Sequence, residues 1–340
     1  MTQCDERLQA LEKWLSPFVS HYALKSETLR RASADASFRR YFRIDSTDGK
    51  TYILMDAPPP KENIGPYLKV CALMQGATLN VPEIYEKDEA LGFILMSDLG
   101  VKTYLDVLTE GNAFDLFEGA IEELVLWQKA TQKDVLPPYD ETVLRRELNL
   151  FPEWYVARHR AYTMTEKETA QLEKVFSRII ANNLAEARVF VHRDYMPRNL
   201  MASENSALPG VIDFQDALEG PVSYDIASLM RDAFISWPEE FVIDMTIRYW
   251  EKARKAGIPV PRDFGAFWRD VEWMGLQRHL KVLGIFARIN YRDGKPKYLA
   301  DTPRFINYVR RTANRYDELK YLNRLLDCFE AEKTVEATTF

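Results

Sequence analysis

The chain is most tightly constrained by one ordered set of polar residues: His192-Arg193-Asp194, then Asn199 five positions after the acid, then Asp213 at the end of the apolar run Gly210-Val211-Ile212. Apolar residues flank the loop, Val189 to Val191 before it and Leu200 to Met201 after it. An acid and an amide at that spacing, with a second acid closing the next strand, match the needs of phosphoryl transfer. Asp194 takes the proton of an attacking hydroxyl, and Asn199 and Asp213 hold Mg²⁺ against nucleotide phosphates. Taken singly, an Asp or Asn between short strands does no more than bond its own backbone. The fixed order of several such positions argues for chemistry instead.

Gln215 follows Phe214 where protein kinases carry glycine, and no Ala-Pro-Glu element comes after it, which argues against a protein kinase. His192, Asp194, Asn199, Ile212-Asp213-Phe214, Gly220-Pro221 and Tyr224-Asp225-Ile226-Ala227 instead follow the order found in the aminoglycoside phosphotransferase and choline kinase superfamily of small-molecule kinases, which the chain resembles over most of its length. Within that superfamily, Asp213-Phe214-Gln215-Asp216-Ala217, Met55-Asp56-Ala57-Pro58-Pro59 and Leu150-Phe151-Pro152-Glu153-Trp154-Tyr155 look most like the bacterial N-acetylmuramate/N-acetylglucosamine kinases of cell-wall recycling, which phosphorylate the anomeric hydroxyl. The resemblance implies an α+β, bilobal protein-kinase-like fold. It has an N-lobe over 1–96 built on a five-stranded antiparallel sheet with helices, a hinge at 97–100, and a mainly helical C-lobe over 101–340 with the catalytic loop and substrate site. It also implies ATP and Mg²⁺ as cofactors; Asp225, in Tyr224-Asp225-Ile226, reads as holding the catalytic loop rather than touching substrate.

The periodicities along the chain agree with that division. Leu8, Leu11, Leu15 and Phe18 predict a leading amphipathic helix, with Pro17 near its end. Residues 29–33, 41–45 and 51–56 read as short strands, with Asp48-Gly49 turning the chain between the second and third; a helix follows over 66–75, then strands at 82–85 and 92–96. Phe114, Phe117, Ile121, Leu124 and Gln128 mark one face of a long helix, and helical patterning dominates the remainder.

Candidate nucleotide contacts are less sharply drawn. The connection 33–41 falls where a phosphate-covering loop belongs but contains no glycine; Ser37 is its candidate hydroxyl donor, and Arg39 and Arg40 either meet phosphate or are solvated. The third strand reads Leu54-Met55-Asp56 where kinases present a lysine to the phosphates, so Lys61 is the candidate replacement or else a plain surface charge. Ser97 and Leu99, in the hinge Met96-Ser97-Asp98-Leu99-Gly100, offer backbone groups to the adenine edge.

Carboxylates bind sugar hydroxyls and aromatic rings stack on a pyranose, which makes Glu147, Glu153, Trp154 and Tyr155 candidates for substrate recognition, alongside Asp216 just after the metal-binding strand. Phe151 reads as core. Trp237, Trp250, Trp268 and Trp273 raise the rival of an aromatic cage for a quaternary ammonium such as choline, against the plainer reading of helical core. Three functions are therefore in view: an amino-sugar kinase, a kinase of another small alcohol (an aminoglycoside or choline), and a nonenzymatic nucleotide-binding module.

Composition narrows the partners. With 46% hydrophobic and 28% charged residues the chain reads as an ordinary globular protein, and a net charge of -6 gives no basic footprint for nucleic acid. Three scattered cysteines and four scattered histidines suggest neither a disulfide framework nor a zinc site. A charged N-terminus and no apolar run long enough to span a bilayer lead to the expectation of a cytoplasmic protein without a membrane partner. The expected partners are ATP and an amino sugar, and no oligomer is required.

Overall fold

The computed structural model describes residues 5–32, 38–59, 61–203 and 208–328. The chain divides into two compact units. The first runs to Gly119 and takes back Arg198–Asp216; the second is Ala120–Pro197 together with the chain from Ala217 onward.

The first unit begins with α1, Glu6–Leu15, whose first turn is capped by the Asp5 carboxylate accepting the Leu8 N–H at 3.0 Å. Strands β1 (Arg30–Arg31), β2 (Arg40–Asp45) and β3 (Thr51–Asp56) follow, then α2 (Gly65–Gly76), β4 (Ile84–Asp88) and β5 (Phe93–Ser97). They form a five-stranded sheet in the order β1-β2-β3-β5-β4, antiparallel at every pairing. The five-stranded antiparallel sheet expected from the resemblance is therefore present; the strand read over 29–33 is β1 over Arg30–Arg31, its expected end at Ser33 lying outside the described residues, and β4 begins two residues later than expected.

Strand β5 is buried from Phe93 through Met96 because the sheet is covered on both faces. Phe93 and Leu95 join Leu11 and Leu15 of α1 in one apolar cluster with Phe42, Ile44, Tyr52 and Leu54. Met96 points the other way, its sulfur accepting the Tyr67 hydroxyl of α2 at 3.2 Å. Gly92 is required at the turn into β5: its φ is +73°, and a Cβ there would lie 2.0 Å from the Ala57 carbonyl oxygen.

After the short α3 (Tyr104–Val107) comes α4 (Ala113–Lys129), which buries Phe117, Ile121, Leu124 and Gln128 as its spacing predicted; Phe114 is instead exposed. The second unit is built around helices: α5 (Glu141–Leu150), a π-helical stretch over Phe151–His159, and α6 (Glu166–Ala185). Pro152 lacks the N–H that would continue α5, and the chain widens to i→i−5 bonds such as Arg160 N–H to the Tyr155 carbonyl at 2.9 Å. Strand β6 (Arg188–Val191) follows, then β7 (Leu200–Met201) and β8 (Gly210–Val211) of the first unit, and β9 (Leu218–Pro221), which pairs antiparallel with β6. Helices α7 (Tyr224–Met230), α8 (Glu239–Lys255), α9 (Phe264–Asp293) and α10 (Thr302–Arg315) complete the unit. The 30-residue α9 is its spine. At Gly284 it meets the end of α5 so closely that a Cβ would lie 2.3 Å from the Leu150 carbonyl carbon. No helix among the described residues is long and apolar enough to cross a membrane.

Candidate active site

The catalytic loop leaves β6, whose Val189, Phe190 and Val191 are buried and whose end is held by the Val191–Leu218 pairing to β9. The next two peptide N–H groups, of His192 and Arg193, both donate to the buried Asp225 carboxylate, at 2.7 and 3.0 Å. Asp225 stands in the first turn of α7, and its role as the loop's anchor is borne out. Burial raises its carboxyl above the ordinary value, while the His192 side chain and these two N–H bonds oppose the rise. Arg193 carries a φ of +78°, costly for a residue with a Cβ, and such strain persists only where the surroundings over-determine it. The Asp194 N–H then donates to His192 Nδ1 at 3.2 Å, and the Arg193 carbonyl accepts from Arg278 at 3.0 Å. Tyr195 fixes the far side, its buried hydroxyl donating to the Ala120 carbonyl at 2.7 Å.

Behind the loop lies a hub that sequence reading assigned to substrate. Glu147 is buried and accepts from Arg193 at 2.6 Å, Lys281 at 2.9 Å and Gln277 at 3.1 Å, and also from the Tyr139 hydroxyl. Burial alone would raise its carboxyl, but the Lys281 and Arg193 charges outweigh that and hold it at about 2. With both oxygens engaged by the protein, Glu147 acts on the loop through Arg193 instead of presenting itself to a ligand. Arg278 and Lys281, which sequence reading missed, both feel the negative charge of Asp194. Their signal was available: Gln277, Arg278 and Lys281 form a polar stripe at helical spacing beside the apolar Trp273, Leu276, Leu280 and Leu283 of α9.

The candidate metal ligands belong to the first unit. The tight turn Pro197–Asn199 leads into β7, and the Leu200–Val211 pairing of β7 with β8 brings the two ligand positions to one end of the ladder. The Ile212 N–H donates to the Asn199 carbonyl at 3.1 Å, and the side chains of Asn199 and Asp213 meet at 3.4 Å. Asp213 also adopts a positive φ, +65°. Phe214, fully buried, pins this turn by packing on Tyr67 with ring centroids 4.8 Å apart. Among the described residues no group of three His, Cys, Asp or Glu forms a metal site. One carboxylate and one amide oxygen suit Mg²⁺, which keeps most of its octahedron for water and phosphate oxygens.

Of the nucleotide candidates, Ser37 lies outside the described residues. Ser97 is tied into the sheet: its hydroxyl accepts the Glu83 N–H and its own N–H donates to the Glu83 carbonyl, both at 2.9 Å. Leu99 packs against Gly210, where a Cβ would come within 3.0 Å of it. Between them, Asp98 accepts from Arg43, Thr51 and the Gly100 N–H, and these partners overcome burial to lower its carboxyl. Lys61 is exposed, its ammonium 4.8 Å from the Phe38 ring centroid. Arg40 is engaged by the fully buried Asp56 at 2.6 and 2.9 Å, whereas Arg39 lies 4.0 Å from Asp213.

Among the sugar candidates, Glu153 is exposed and lines a cavity of about 530 Å³ with Arg145, Arg146 and Asn149. Trp154 is half-buried under the Arg158 guanidinium, 4.5 Å from its ring, and Asp216 is exposed beside Gln215 at 3.3 Å. Phe151 is core, as expected, and Tyr155, read as a sugar candidate, is instead buried and stacked on it with ring centroids 5.5 Å apart. Three of the four tryptophans of the cage idea are covered by the chain's own cations, Arg254 4.7 Å over Trp250, Arg231 5.6 Å over Trp268 and Arg269 4.4 Å over Trp273, and Trp237 packs on Phe241 with ring centroids 5.1 Å apart.

Residues 28–264 match the family model described as the phosphotransferase enzyme family. The chain belongs to that family. Similar curated proteins include the N-acetylmuramate/N-acetylglucosamine kinase of Pseudomonas aeruginosa, 50% identical over 329 residues and covering 95% of this phosphotransferase and 96% of the relative. The protein of the same name from Neisseria meningitidis is 48% identical, covering 94% and 95%. Among solved structures, the amicoumacin kinase hAmiN in complex with AMP-PNP, Ca²⁺ and Ami superposes with a TM-score of 0.61 at 15% identity, covering 89% of this phosphotransferase and 94% of that chain. The choline kinase LicA of Streptococcus pneumoniae also gives 0.61, at 13% identity, covering 90% and 99%. At such identities the structural likeness establishes the protein-kinase-like fold alone.

Proposed function

We propose that this phosphotransferase moves the γ-phosphoryl group of ATP onto the anomeric hydroxyl of N-acetylmuramate and N-acetylglucosamine, giving the sugar 1-phosphates in a cytoplasmic step of peptidoglycan recycling. The observation that carries this reading is the 50% identity, spread over 95% of the chain, to a protein named for those two sugars.

Asp194 orients the sugar hydroxyl and takes its proton as the new P–O bond forms, so no covalent phosphoenzyme is needed. Asp225, through two peptide N–H bonds, and Glu147, through Arg193, keep the loop in the strained conformation that presents Asp194. Asn199 and Asp213 hold Mg²⁺, which when bound neutralises charge on the phosphate oxygens. With the Ser97 N–H taken by Glu83, Leu99 supplies backbone groups to the adenine from the hinge at 97–100, between lobes at 1–96 and 101–340. Glu153, Trp154 and Asp216 are the contacts proposed for the sugar. An anomeric hydroxyl is more acidic than an ordinary alcohol, which suits a carboxylate base.

The test is ADP release measured with N-acetylmuramate, N-acetylglucosamine, choline and kanamycin as acceptors. Turnover confined to the two amino sugars is expected. Turnover with choline or kanamycin alone would replace this reading with another small-alcohol kinase, and tight ATP binding without turnover on any acceptor would favour a nucleotide-binding module.

A further inference from the structure

Strand β3 offers no cation to a nucleotide. Leu54, Met55 and Asp56 are all buried, and Asp56 is neutralised by Arg7 and Arg40. A different basic residue is set beside the candidate metal carboxylate. Arg39, immediately before β2, has one guanidinium nitrogen 4.0 Å from Asp213 Oδ1 and another 4.0 Å from Glu62 Oε2, and its side chain is only 14% exposed. The guanidinium is thus set beside both acids.

We propose that Arg39 binds the phosphates of the nucleotide and so takes the place of the missing strand-three lysine. The inference rests on the reading of the chain as an ATP-dependent kinase. A phosphate oxygen sharing a cation with Asp213 would lie beside that carboxylate, and Arg39 stands 4.0 Å from it. An arginine is also suited to the task, because its planar fork meets two phosphate oxygens at once and stays charged at any working pH. Glu62 would then serve to aim the fork, as a carboxylate commonly does for a phosphate-binding cation in kinases.

The experiment is calorimetric binding of Mg·ADP and of adenosine to the parent chain, Arg39→Gln and Arg39→Lys, with thermal unfolding of each. A hydrogen bond to a charged group is worth enough that Arg39→Gln should weaken ADP by about tenfold to hundredfold, while adenosine binds as it does to the parent. Arg39→Lys, which keeps the charge and loses the fork, should recover part of the ADP affinity. Equal ADP affinity in parent and Arg39→Gln would overturn the proposal. So would parallel losses of ADP and adenosine, which mark a structural role. Should Arg39→Gln fold poorly, Arg39→Lys decides alone: a selective loss for ADP supports the proposal and an unchanged affinity overturns it. ADP binding that depends on Arg39, in a chain that turns over no amino sugar, would overturn the proposed function and leave this inference standing.

Discussion

Replacing Glu147 by Gln removes one negative charge from a site where it balances Arg193 and Lys281 and accepts from Tyr139 and Gln277. A carboxyl displaced from 4.5 to about 2 carries on the order of 3 kcal/mol of folding free energy at neutral pH. That agrees with the roughly 3–5 kcal/mol lost when one partner of a buried ion pair is removed. Because the folded-state carboxyl is depressed, this stability is fully present above the unfolded value near 4.5 and is lost as pH falls toward 2. Urea unfolding at pH 7 should therefore place Glu147→Gln below the parent by about 3 kcal/mol, with the gap narrowing at pH 3. Turnover should fall by up to about a hundredfold, since a loop displaced by one ångström costs that much. A gap below about 1 kcal/mol at pH 7, or one that widens on acidification, would refute the reasoning.

Asp194→Asn is expected to lower kcat by at least about a hundredfold with ATP affinity within a few-fold of the parent, measured by ADP release and calorimetry; unchanged turnover would remove Asp194 from its role. Asp225→Asn sets an amide N–H against one of two peptide N–H donors, so turnover should drop at least tenfold and the fold lose about 1–3 kcal/mol in urea. Glu186 has its carboxyl pushed up to about 8, first by burial and then by Asp270. A carboxyl raised in the folded state costs stability increasingly as pH rises from 4.5 toward 8, so Glu186→Gln should gain on the parent in thermal unfolding between pH 6 and pH 8.

Local signals carried much of this fold. Strand β3 and helix α2 were legible in position, 51–56 matching Thr51–Asp56 and 66–75 falling inside Gly65–Gly76, and the Asp48-Gly49 turn separated two strands cleanly. The catalytic loop was legible for a different reason: its oxygen-bearing residues recur at fixed spacing, and the first turn of α7 carries the Asp225 that anchors it. Glu147 was misplaced because a lone acid in an amphipathic helix looks the same whether it faces a ligand or a buried arginine. Its partners Arg193 and Lys281 lie 46 and 134 positions away, beyond any local pattern. The π-helical widening after Pro152 was missed for a similar reason. Proline predicts a break in the α-helix, but only the close approach of α9 at Gly284 gives the continuing chain something to pack on. Arg39 and Arg40 are adjacent and identical in type, and only the positions of Asp56 and Asp213 tell them apart.

The proposed reaction passes one phosphoryl group from ATP to the anomeric oxygen of an amino sugar. Phosphorus NMR of N-acetylmuramate incubated with ATP, Mg²⁺ and the enzyme tests it most directly. A new monoester resonance coupled to the anomeric proton, growing in step with ADP, is expected. A monoester coupled to any other sugar proton, or ADP formed with inorganic phosphate alone, would contradict it.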